Sequence, residues 1–72
     1  MRDEILKALR SLVAAGALEL PLALENGPTS IFVATGQGRL VLRLARKDGQ
    51  IIVTAGRWLV KKRYYFDCSE LG

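Results

Sequence analysis

Apolar residues in the first part of the chain recur at Ile5, Leu6, Leu9, Leu12 and Val13. Steps of one, three and four residues return to one side of a helix, so this stretch predicts an amphipathic helix over residues 3–15. Asp3 is the expected N-cap, and Glu4 suits the positive end of the helix dipole. Gly16 stands where a left-handed residue would end the helix. The polar side carries Glu4, Lys7, Arg10 and Ser11, and the apolar stripe is expected to pack on a sheet.

From residue 17 the period shortens to two. Leu18, Leu20, Leu22 and Leu24 alternate with Ala17, Glu19, Pro21 and Ala23, which predicts a half-buried strand over about 18–24 with the leucines inward. Pro21 donates no backbone hydrogen bond, so this strand is expected at an edge or at a bulge. The turn chemistry of ENGP (25–28) closes it. SIFVAT (30–35) predicts the next strand, GQG (36–38) a tight turn, and RLVLRLAR (39–46) a strand with Leu40, Leu42 and Leu44 inward. Asp48-Gly49 within KDGQ is a strong hairpin signal. IIVTA (51–55) is a further strand, and Gly56 is read as a turn or as a bend within a longer strand. RWLVKKRYYF (57–66) is then a fifth strand or the second half of the fourth. The polar tail from Asp67 is expected to fray. One helix followed by a meander with short connections predicts an α+β domain spanning residues 1–72. Its N-terminal helix would pack on a four- or five-stranded antiparallel β-meander or small barrel.

Composition adds a constraint on assembly. A domain of 72 residues buries only about 60% of its unfolded surface. Half of these residues are hydrophobic, and a small domain with no disulfide gains stability from association. A homo-oligomer is therefore expected. Cys68 is the sole cysteine and histidine is absent, which rules out an internal disulfide and disfavours zinc; no metal or other cofactor is expected. A lone thiol, no targeting segment and no apolar run of membrane-spanning length together suggest a cytoplasmic protein that does not enter a membrane.

The charge is unevenly placed. Residues 1–38 sum to −1, residues 39–63 hold eight cations against Asp48 alone, and residues 64–72 add Asp67 and Glu70. With the leucines of 39–46 inward, Arg39, Arg43 and Lys47 point outward at intervals of about 13 Å. The same alternation through 57–66 puts Trp58, Val60, Lys62, Tyr64 and Phe66 on a core side. It leaves Arg57, Lys61, Arg63 and Tyr65 outward. The seven outward residues, Arg39, Arg43, Lys47, Arg57, Lys61, Arg63 and Tyr65, form a candidate nucleic-acid surface. Cations track phosphates, arginine grips them with two prongs, and an aromatic ring accepts a stacked base. That chemistry suits a single strand more than a duplex. Solvating charge on an open sheet face is the plainer explanation of the same residues.

Other chemistry finds little support. TGQG (35–38) is followed by a strand, whereas a phosphate-binding loop requires a helix there. The serines and threonines have no histidine to activate them, the acids form no paired-carboxylate spacing, and Asp67 and Glu70 oppose a reactive Cys68 thiolate. A non-enzymatic binding protein is therefore expected. An alternative is a structural or regulatory interaction module, such as a phage-type assembly component or inhibitor, that self-associates or binds an acidic protein. One helix followed by five short strands in about seventy residues resembles the layout of Sm-like ring proteins, whose members bind RNA as oligomers. The resemblance is one of layout and assigns no residue a role.

Overall fold

The amphipathic stripe forms helix α1, Arg2–Ala14, and buries Ile5 and Leu9. Leu6 and Leu12 pack against the same core. The computed structural model describes residues 1–20, 22–36, 38–57 and 60–71, with Thr35 and Arg57 described by their backbone alone. Met1, rather than Asp3, occupies the N-cap, and its carbonyl accepts the Ile5 N–H at 3.1 Å. Asp3 instead joins Glu4 in the first turn, where both negative charges face the positive end of the helix. At the other end Gly16 adopts φ 74°. The Ala17 N–H returns to the Leu12 carbonyl at 2.9 Å. A side chain is disfavoured in that left-handed conformation, and glycine meets no such cost.

The leucine alternation of 18–24 does not form a strand. The segment folds on itself, and Leu22–Leu24 is a short 3-10 turn. Its backbone groups find local partners. The Ala23 N–H reaches the Glu19 carbonyl at 2.9 Å, and the Glu25 N–H reaches the Leu22 carbonyl at 3.2 Å. Leu18 and Leu24 still enter the core, Leu20 packs beside it, and Leu22 is exposed. Pro21, the expected edge or bulge position, lies outside the described residues.

Four strands follow: β1 (Thr29–Thr35), β2 (Gly38–Lys47), β3 (Gln50–Arg57) and β4 (Val60–Asp67). They form one antiparallel sheet in sequence order, an open meander that does not close into a barrel. The fifth strand needed for the Sm-like layout is absent among the described residues. Lys47 pairs with Gln50, so Asp48 and Gly49 are the two turn residues. Both have positive φ, 52° and 79°, as a type I′ hairpin turn requires.

One face of this sheet is the core. Leu42, Leu44, Ile51, Val53 and Phe66 are fully buried and meet Ile5, Leu9, Leu18 and Leu24. The tail expected to fray is instead ordered through Leu71, which joins that core, and Gly72 lies outside the described residues. Cys68–Leu71 forms a single helical turn, α2, that buries Leu71. The Glu70 carboxylate accepts the Asp67 N–H at 2.9 Å and pairs with Arg2 at 3.2 Å, while Arg10 donates to the Glu70 carbonyl at 2.7 Å. The Asp67 N–H and the Arg2 guanidinium hold the Glu70 carboxyl below its usual range. Burial of Leu71 and these bonds overcome the polar composition on which fraying was predicted.

Gly56 is neither the turn nor a bend. It lies within β3, opposite Lys61, and the chain reverses after Arg57. A side-chain carbon added there would run into the Val60 carbonyl and stand 2.7 Å from the Lys61 Cα. The β3–β4 hairpin therefore needs glycine for close backbone approach.

Candidate nucleic-acid interface

The same pleat that buries the leucines turns the intervening residues to the other side of the sheet. The register aligns them in rows. Ser30, Arg43, Thr54 and Arg63 lie side by side on successive strands. Ala45, Ile52 and Tyr65 form the next row, and on the same side Phe32 pairs with Val41 and Gly56 with Lys61. Arg43 and Arg63 are thus two strands apart, about 10 Å at the backbone.

These rows enclose an open groove of about 630 Å³. Val41, Ala45, Ile52, Thr54 and Gly56 lie along it, and Arg43, Lys47, Lys61 and Arg63 bring the charge. Among the described residues no acid pairs with any of these four cations. Two acids stand at the end of the sheet: Asp48 follows Lys47 in the β2–β3 turn, and Asp67 lies opposite Gln50, where its carboxylate accepts the Gln50 side-chain amide at 3.2 Å. A cationic surface without internal neutralisation carries a positive potential that attracts anions.

The seven residues singled out by alternation divide. Arg43, Lys47, Lys61 and Arg63 line the groove, and Tyr65 is on the same side, 49% exposed. Arg39 lies at the start of β2, with its guanidinium 6.0 Å from the centre of the Phe32 ring. Arg57 does not belong to this set on the grounds first given. It ends β3, in register with Val60, so the count that aligned it with Lys61 and Arg63 along one unbroken strand does not apply. Its side chain lies outside the described residues, as do Trp58 and Leu59. The expected core side of β4 holds at its far end, where Phe66 is buried and Tyr64 packs on the core. It fails at Val60 and Lys62, which are exposed.

Alternation missed one aromatic. Phe32 is 67% exposed on the groove side of β1. SIFVAT is apolar at every position but its ends, so period two could not separate its faces. The signal was the pairing partner: opposite Phe32 stands Val41, already assigned outward.

The remaining chemistry is sparse. No cluster of three potential metal ligands occurs among the described residues. Cys68 is a half-buried free thiol that donates to the Gly49 carbonyl at 3.5 Å. No described helix is long and apolar enough to cross a membrane. No protein-family model, curated protein or solved structure matches this chain.

Proposed function

We propose that the open face of the sheet binds single-stranded nucleic acid, and that the protein is a binding module rather than an enzyme. The observation that carries this reading is the gathering of Arg43, Lys47, Lys61 and Arg63 around one groove with no acid partner among the described residues. Phosphates supply the missing negative charge. Tyr65 and Phe32, exposed at opposite edges of the same face, supply rings on which bases stack. A single strand can bend its bases onto such a surface, whereas a duplex keeps them stacked inside. Val41, Ile52 and Ala45 between the cations offer apolar contact to sugars and bases. Self-association of the chain belongs to the same reading, because joined copies lengthen the basic surface.

The test is charge reversal on the groove. Arg43→Glu with Lys61→Glu is expected to abolish binding of a labelled single-stranded oligonucleotide and to leave the circular dichroism spectrum unchanged. Each lost phosphate contact lowers the slope of log affinity against log salt by roughly 0.7. Undiminished binding by the double variant removes this face from consideration.

The second reading, a protein-interaction module with an acidic partner, is favoured by the exposure of Val60 (71%) beside the cations of β4. A folded acidic protein would meet the same groove charges. It would not require Tyr65 or Phe32, so Tyr65→Ala with Phe32→Ala separates the two readings.

A further inference from the structure

The two edges of the sheet are built differently. Along β4 stand Lys61, Lys62, Arg63 and Asp67, and Arg2 donates to the Tyr65 carbonyl at 3.2 Å. Charge and a covering side chain are ordinary means of blocking an edge against further pairing. β1 has no such protection in its sequence: TSIFVAT is seven residues without a charge or a proline. The strand order places it at the end of the sheet, with no other strand beyond it among the described residues. Beside it, α1 and β1 border a second open groove of about 340 Å³, lined by Glu4, Lys7, Ala8, Ser11, Val33 and Ala34.

We propose that this edge pairs with a second copy of the chain, β1 lying antiparallel to β1 of its partner about a twofold axis normal to the sheet. The inference rests on the self-association reading and names its surface. A twofold contact sets one patch against itself, so the patch must be self-complementary. β1 satisfies this, because an uncharged strand meets no like charge. The β4 edge does not, because Lys61, Lys62 and Arg63 would face their own copies. The helix flank adds a second match. It offers one acid, Glu4, one cation, Lys7, and the small residues Ala8 and Ser11. The twofold axis brings both flanks to the same side of the joined sheet, where each cation has an acid on the other copy to approach. The eight strands then form one sheet, with both helices on one face and both basic grooves on the other.

Sedimentation velocity over micromolar to millimolar protein reads the assembly directly. The wild-type mass is expected to approach twice the 7.9 kDa of one chain. Ala34 is exposed on β1 opposite Arg39 of β2, so Ala34→Lys, which sets two cations across that pair, is expected to lower the melting temperature slightly and leave the chain folded. It should weaken association roughly tenfold or more by adding a cation to each of the two strand edges that meet. Lys7→Glu, which makes the flank wholly acidic, is expected to weaken it too, and Glu4→Lys with Lys7→Glu to restore it. A wild-type mass of one chain at the highest concentration overturns both the pairing and the self-association reading. A dimer indifferent to Ala34→Lys and Lys7→Glu leaves self-association standing and overturns this surface. Failure of the double swap to restore association contradicts the flank contact.

Discussion

The two faces of the sheet share every backbone atom and differ in almost everything else. On β2, Leu42 and Leu44 are wholly buried, and Arg43 between them is exposed and lines the groove. On β3, Ile51, Val53 and Ala55 are buried, and Thr54 lies in the groove row between Arg43 and Arg63. The inner face is under a volume constraint, because close-packed side chains leave few voids. The outer face is under no such constraint and carries Arg43, Lys47, Lys61 and Arg63, which pair with no acid among the described residues. Stability and the proposed binding thus alternate residue by residue along one strand, and neighbouring substitutions should give opposite phenotypes.

The sharpest way to break that comparison is a neighbouring pair. Leu44→Ala is expected to lower unfolding free energy by about 2–5 kcal/mol, from lost burial and the cavity left behind. Arg43→Ala, one residue away, should change it by no more than about 0.5 kcal/mol. Chemical denaturation of both variants checks this, and comparable losses would contradict the division of faces. Next in size is Gly56→Ala. The added carbon meets the Val60 carbonyl and the Lys61 backbone, and overpacking of this kind costs about 1–3 kcal/mol. The same substitution narrows the groove floor, so it is the one outer-face change expected to lower melting temperature and oligonucleotide affinity together.

A smaller effect belongs to the α2 turn. The Glu70 carboxyl is held below its usual range by the Asp67 N–H and by Arg2. A carboxyl depressed in the folded state contributes stability above its unfolded pKa and loses it as pH falls through the folded one. Glu70→Gln is expected to lower the melting temperature slightly at neutral pH, since the group is exposed and its ion pair is screened. The difference from wild type should shrink as pH drops below the ordinary carboxyl range. A difference that stays constant with pH would deny Glu70 its role as a charged anchor.

The same contrast explains what could be read from the sequence. Helix α1, the Asp48-Gly49 hairpin and the inward leucines of β2 are legible because each carries a strict period or a turn residue with a defined conformation. The segment 17–24 misled because period two describes any chain whose alternate residues are leucine. Only a partner strand makes it a strand, and local hydrogen bonds from Ala23 and Glu25 took the backbone groups first. Tail order depended on contacts sixty or more residues distant, Arg2 and Arg10 to Glu70, which no local pattern records. Of the candidate surface, Arg43, Lys47, Lys61, Arg63 and Tyr65 were legible by alternation, whereas the count along 57–66 could not carry Arg57, which closes β3 in register with Val60 of β4. Phe32 was concealed by a strand apolar on both faces.

The central claim, that the open face holds a single strand, is tested most directly by titrating the wild-type protein into labelled single-stranded and duplex oligonucleotides. Fluorescence anisotropy would be followed at low and near-physiological salt. The account predicts tighter binding to the single strand, weakening steeply with salt as phosphate contacts release their counterions. No binding to either at low salt would contradict it, and equal binding to both would leave charge without stacking.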